Sequence, residues 1–265
     1  MSALRNLIPG NQLLSYWLAA FIVAGFAYAI YSGYFKARKV QPNGFRWKIF
    51  GLEIIVAIVT IAVSAKVLQY VTTTLTAKGI IAYNHEPASW WVTALEYIAY
   101  FLLFDTYFYW LHRLMHVNPI YKYVHKLHHY STSPNLLTTL SVNPLESVIN
   151  GGFVPLFTAI LTVHDSTMLF ILPTNIVMGF YVHSGYELLP RWWNKTWATK
   201  WFITATFHDQ HHKYFNFNYG GYTTLWDRIC GTQRKKYEED FVMIKDRAKH
   251  ALTPAVATTV NSPQS

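Results

Sequence analysis

Residues 13–35 form a run of 23 positions without a charged side chain. About 20 consecutive apolar residues cross a bilayer as a helix, because only a closed hydrogen-bonding element satisfies its backbone where lipid offers no partner. The run therefore reads as a first transmembrane helix. It does not read as a cleaved leader. Only Arg5 precedes it, no clear small-residue cleavage site follows, and Lys36, Arg38 and Lys39 come directly after it.

Three further apolar regions follow. Residues 49–70 read as a second span, with Glu53 in its first turns and Lys66 placed to snorkel toward the head groups. Residues 91–110 read as a third, anchored by Trp90 and Trp91. It holds Glu96 and Asp105, and a carboxylate that deep is expected to have a partner inside the protein. A fourth region, 151–181, breaks at His164-Asp165-Ser166-Thr167, a helix-start signal. Its halves, of about 13 to 16 residues, are short for full spans and read as a helical hairpin.

Composition agrees. Hydrophobic residues make up 52% and charged residues 13%, about half the usual charged share of a soluble domain. A single Cys excludes a disulfide framework and any multi-cysteine metal site. The net charge of +9 is read as topology control rather than nucleic-acid binding. Five Lys/Arg lie in the loop after the first span, one (Lys78) in the next, three in residues 112–148 and eleven in 184–265. The positive-inside rule then puts residues 36–48, 112–148 and 184–265 on the cytoplasmic side. The expected architecture is an all-α integral membrane protein of about four transmembrane helices with a cytoplasmic His-rich helical cap. Residues 1–111 would hold the N-terminal helices and 112–250 the His-rich region, with hairpin 151–182 inside it. Residues 251–265 would form a flexible tail.

Nine of the twelve histidines fall in that cytoplasmic part: His112 and His116; His125, His128 and His129; His183; His208, His211 and His212. Positions i, i+3 and i+4 share a helical face, so each cluster is expected to project its imidazoles together. Such clusters suit a packed core poorly, since every ring carries a polar nitrogen that must be satisfied. They suit metal. His85 and His164, on the opposite side, and His250, in a basic tail, are set aside. Nine imidazoles are too many for one zinc ion, which takes four ligands or fewer. Two five- or six-coordinate ions account for them. Iron is the expected metal, because open positions on an all-His pair serve oxygen activation, although zinc could occupy the same ligands in a purified sample.

The ordered set His112-x-x-x-His116, His125-x-x-His128-His129, His183-Ser-Gly and His208-x-x-His211-His212 resembles the fatty acid hydroxylase / sterol desaturase family of membrane non-haem di-iron enzymes. The likeness also takes in Asn143-Pro-Leu-Glu146, Asn218-Tyr-Gly and Leu225-Trp-Asp-Arg-Ile-Cys-Gly-Thr232. It covers residues from about 105 to 232. Family members often carry His where Asn143 stands, which leaves any tenth ligand open. The resemblance implies two iron ions, O₂, and hydroxylation or desaturation of an unactivated C–H bond of a sterol or fatty acyl chain. No nucleotide-binding glycine motif or haem pattern is present, so a separate donor is implied: cytochrome b5, or a ferredoxin with its reductase. A metal transporter and an inactive lipid-binding relative are the alternatives. Gathering of the histidines at one membrane face disfavours the first, and retention of all nine disfavours the second.

Asp105, Asp209 and Glu146 are candidates to orient ligand imidazoles by accepting their outer N–H. Tyr107, Phe108, Tyr109 and Trp110 read as an interfacial aromatic belt, and Arg234-Lys235-Lys236 as a solvated loop.

Overall fold

The computed structural model describes residues 32–41 and 46–252. Most of the first expected span and nearly all of the expected tail lie outside these residues. The described chain is mostly helical.

Helix α1 (Ser32–Ala37) precedes the long α2 (Trp47–Ala77). At 1.5 Å per residue α2 is about 46 Å long, longer than the 49–70 expected. Its polarity is inverted relative to a soluble helix. The buried stripe is Glu53, Ala57, Thr60 and Ser64, at helical spacing, while Ile55, Ile58 and Val59 face outward. The buried polar groups are paired. Glu53 accepts from Asn135 Nδ2 at 2.7 Å, from Thr138 Oγ1 at 2.9 Å and from Ser131 Oγ. Thr60 Oγ1 donates to Val142 O at 2.6 Å. Hydrogen bonds to a charged group contribute about 1.5–3 kcal/mol each, so Glu53 ties α2 to the loop that carries the second histidine cluster.

Strand β1 (Tyr83–Asn84) pairs in parallel with β2 (Val163–His164), Tyr83 opposite Val163. Helix α3 (Trp90–Met115) runs past the expected end at 110 and carries His112 beyond it. There follow α4 (Ile120–Val124), α5 (Pro144–Gly151), α6 (Phe153–Ile160) and α7 (Asp165–His183). The chain breaks between α6 and α7 where the His164-Asp165-Ser166-Thr167 signal places it. The halves differ from the expected near-equal hairpin. The helix before the break has 8 residues and α7 has 19, because Gly152 and Pro155 interrupt the first half. By length and composition α2 and α7 are each long and apolar enough to cross a membrane.

Helices α8 (Ala205–Tyr214), α9 (Leu225–Ile229) and α10 (Tyr237–Leu252) complete the described fold. One core joins α3, α6 and α7 through Tyr100, Phe104, Phe153, Phe157 and Ile171; a second joins α7, α8 and α10 through Val182, Phe207, Tyr237 and Phe241. The expected aromatic belt is not a belt. Tyr109 is fully buried, Tyr107 donates to Ile149 O at 2.9 Å, Phe108 lines an internal cavity, and only Trp110 is well exposed. Three consecutive residues of a helix span most of a turn, so they cannot all face one interface. Of the basic run, Arg234 pairs with Asp240 at 2.5 Å, while Lys235 and Lys236 are exposed.

Candidate metal centre

His112 lies in the last turn of α3 and His116 is its C-cap. His125 closes α4, and His128 and His129 start a 3-10 turn. His183 is the last residue of α7. His208, His211 and His212 ride on α8, whose start is held in two ways. Thr204 Oγ1 accepts from Phe207 N at 3.1 Å, a cap worth about 1 kcal/mol. Buried Glu187 accepts from Thr206 N at 3.0 Å and Thr206 Oγ1 at 2.7 Å. Eight of the nine rings are buried and His116 is half-buried.

The nine converge as two groups. One is His112, His116, His125, His129 and His211; the other is His128, His183, His208 and His212. The expectation of one shared helical face per cluster needs correction. Residues 125–129 form a turn running into a 3-10 helix, and both H-x-x-H-H segments divide their rings. Positions 125 and 129 join one group and 128 the other; 208 and 212 join one and 211 the other. The i and i+4 rings share a face, while the i+3 ring, rotated about 60° short of a full turn, reaches across.

In the first group Nε2–Nε2 separations are 3.0 Å (His112–His125) and 3.1 Å (His125–His129, His129–His211, His116–His211). In the second they are 3.2 Å (His128–His183, His208–His212) and 2.8 Å (His183–His208). Nitrogens at right angles around one ion, with metal–nitrogen bonds of about 2.0–2.1 Å, lie about 3 Å apart, against about 3.4 Å for a tetrahedron. The spacing thus suits square or octahedral donor sets.

Tautomers point the same way. Nδ1 of His112, His183 and His211 faces the backbone carbonyl of Tyr219 (2.8 Å), Gly179 (2.8 Å) and Phe217 (2.7 Å), respectively. A carbonyl only accepts, so these rings carry their proton on Nδ1 and present a lone pair at Nε2. Nδ1 of His125 lies 2.9 Å from Glu146 Oε1 without an aligned hydrogen bond. His112 and His211, both in the first group, therefore aim lone pairs into one space, a repulsion that a shared cation relieves. Burial drives the rings toward the neutral form that binds metal. His125, His128, His208, His211 and His212 are held well below the usual imidazole range, and His129 is lowered to about 3.

The carboxylates divide. Glu146 is buried against His125, and burial holds its carboxyl well above the usual range. Asp105 does not touch His112. It accepts from Tyr222 N (2.9 Å), Thr223 N (2.8 Å) and Thr223 Oγ1 (2.5 Å), fixing the loop whose Tyr219 carbonyl does hold His112. Asp209 accepts from Gln41 Nε2 at 2.8 Å. Asn143, in the place of the family's frequent His, caps α5 by accepting from Leu145 N at 2.9 Å and donates its Nδ2 to Tyr123 O at 2.9 Å. His85 and His164 pair with Asp165 and Glu96, apart from both donor groups.

A cavity of about 380 Å³ adjoins both groups. His112 and His125 from one and His128, His183 and His208 from the other line it, together with Phe104, Phe108, Met178 and Val182. Two imidazole groups that could each hold a metal ion beside a largely apolar chamber suit redox chemistry on a hydrophobic molecule.

The fatty acid hydroxylase family profile matches residues 97–232, a segment that holds all nine imidazoles. The chain belongs to the fatty acid hydroxylase family. It is 36% identical over 149 residues to methylsterol monooxygenase erg25A of Aspergillus fumigatus, covering 52% of this chain and 46% of that protein. It is 32% identical over 164 residues to methylsterol monooxygenase 1 of Gallus gallus, covering 62% and 53%. It is 30% identical over 148 residues to the C-4 methylsterol oxidase erg25 of Schizosaccharomyces pombe, covering 52% and 47%. The chain spans about half the length of these curated relatives. No solved structure matches it.

The family segment contains supporting residues whose roles the sequence did not reveal. Asp227 accepts from Tyr219 N (2.9 Å) and Gly220 N (2.7 Å). Asn218, at φ 61°, donates to Phe207 O at 2.9 Å. Both shape the loop whose carbonyls hold His112 and His211. Asn218-Tyr-Gly was visible as a motif, but its partners lie elsewhere in the chain.

Proposed function

We propose that the nine imidazoles ligate two iron ions and that the protein is an O₂-dependent oxidoreductase acting on a C–H bond of a membrane lipid, with a methylsterol as the favoured substrate class. The observation that carries this reading is the 380 Å³ cavity lined both by imidazoles of the two groups and by aromatic and aliphatic side chains. The three relatives described above, all methylsterol oxygenases by name, support the sterol class over other lipids.

When bound, the metal pair supplies the redox chemistry that couples O₂ to C–H oxidation, with electrons from a separate donor such as cytochrome b5 or a ferredoxin system. The protein's own residues do the rest. The carbonyls of Tyr219, Gly179 and Phe217 keep three rings in the ligating tautomer. Phe104, Phe108, Met178 and Val182 hold hydrocarbon and exclude water from the reacting carbon. In this reading α3 crosses the membrane as α2 and α7 do, and the centre, in region 112–250, faces the cytoplasm. The outward apolar face of α2 supports the membrane setting.

The test uses purified, iron-loaded protein with a 4-methylsterol, O₂ and a reconstituted donor. A product heavier by one oxygen is expected, and His128→Ala abolishes it. Turnover of acyl chains but not sterols would overturn the substrate class; full activity in His128→Ala would overturn the metal assignment.

A further inference from the structure

Helix α5 lays a polar strip along the cavity wall. Glu146, Ser147 and Asn150 all line the cavity, and positions i and i+4 put Glu146 and Asn150 on one face. Glu146 is 3% exposed. Its Oε1 is turned to His125 Nδ1 at 2.9 Å. Its Oε2, and Oδ1 of Asn150, are buried without a hydrogen-bond partner. Buried polar atoms are nearly always paired, so two such oxygens on residues that line one cavity need a physical cause.

Two other polar residues on the cavity wall have protein partners, whereas Nδ1 of His125, His128 and His208 there is also unpartnered. Asn175 bonds the hydroxyls of Tyr100 and Tyr222. Thr139 Oγ1 donates to Gly179 O at 2.9 Å. Glu146 and Asn150 thus share one face of α5, with Glu146 Oε1 one imidazole ring away from Nε2 of His125. We propose that Glu146 and Asn150 form a hydroxyl-binding subsite for the alcohol end of an amphiphilic lipid, placing the carbon next to the hydroxyl-bearing one at the metal centre. The hydrocarbon body then lies against Phe104, Phe108, Met178 and Val182.

The chemistry of the strip selects the head group. An alcohol both donates and accepts, so it satisfies Asn150 Oδ1 whichever proton state Glu146 holds. A fatty carboxylate or an acyl thioester has no proton to give Asn150. A sterol carries a hydroxyl on the carbon adjacent to C4, which is the position named for one of the relatives. The inference rests on the methylsterol reading above and deepens it by naming the residues that would orient such a substrate.

The experiment measures equilibrium binding to metal-loaded, full-chain protein in detergent micelles. Two ligand pairs are compared: a 4-methylsterol with its 3-deoxy counterpart, and hexadecanol with hexadecane. The free hydroxyl is expected to tighten sterol binding at least about tenfold. In Asn150→Leu and Asn150→Ala that ratio falls to about two or less, while metal content stays at the unaltered level and reports an intact centre. Equal affinity for the sterol and its deoxy form overturns the subsite and leaves the sterol reading standing. Hydroxyl-dependent binding of hexadecanol without sterol binding supports the subsite and overturns the sterol reading. Binding of neither pair overturns both. Hydroxyl preference unchanged in both Asn150 variants overturns the subsite.

Discussion

His128 and His129 are consecutive in the chain, yet their Nε2 atoms belong to different donor groups, His128 with His183, His208 and His212, His129 with His112, His116, His125 and His211. Neighbouring side chains diverge at this turn and are pulled to opposite sides by partners from α8, which divides its own histidines the same way. The two centres are therefore interlocked, each H-x-x-H-H segment contributing to both.

That interlock predicts selective metal loss. His128→Ala removes one donor of four and His129→Ala one of five. Elemental analysis is expected to find close to two metals per unaltered chain and about one in His128→Ala. His129→Ala, with four donors left, should retain more of its ion at saturating metal. Two full equivalents in His128→Ala would contradict the division into groups.

Glu146 touches a ring rather than an ion, at 2.9 Å from His125 Nδ1. Losing a partner of this kind typically weakens metal binding by about 10–100-fold. Glu146→Ala should show that drop in a chelator competition, and Glu146→Gln a smaller one. Asp105→Asn, whose contacts run to Tyr222 and Thr223, should lower thermal stability by about 1–3 kcal/mol without a matching specific loss at His125.

Acid should destabilise the metal-stripped protein. Burial lowers the His129 pKa to about 3 in the fold, while the unfolded chain takes up that proton near 6.5. Below about pH 6.5 the unfolded state holds more protons, so stability falls with falling pH until the folded ring titrates near 3. His125, His128, His208, His211 and His212 shift the same way. Melting of chelated protein should move steadily lower from pH 7 to 5. A flat profile would mean the rings are accessible to protons in the fold.

Cavity shape can be tested at Gly221. A Cβ there would lie 2.5 Å from Phe108 Cδ1, so Gly221→Ala must push the ring, and Phe108 lines the cavity. An increase of several-fold in KM with unchanged metal content is expected from lipid-turnover kinetics.

Membrane orientation is open to labelling. Ile80 is 49% exposed in the loop after α2, and Lys235 is exposed before α10. With Cys230 replaced by Ser, an impermeant thiol reagent should reach Ile80→Cys from outside intact cells and Lys235→Cys only after permeabilisation. The reverse pattern would invert the proposed topology.

Much of this protein is written in short-range pattern. The apolar runs announce α2 and α7 because a bilayer-spanning helix needs length and apolarity, both local properties. The nine ligand candidates stand out because imidazoles at i, i+3 and i+4 are rare in a packed core. Even the break before α7 is marked by its own residues. What the chain order did not disclose depends on partners far away. Asp105 lies two turns from His112, and helical arithmetic pairs them, but Thr223 and Tyr222 reach its carboxylate first. Asn150 looks like an ordinary helix residue until the fold leaves its Oδ1 facing a cavity. The sequence by itself determined which side chains can bind metal and which segments can lie in lipid, since residue type and spacing decide both. Tertiary structure alone decided how nine rings divide into five and four, which carbonyls set their tautomers and which cavity they border, because those depend on distances between segments that no local period encodes.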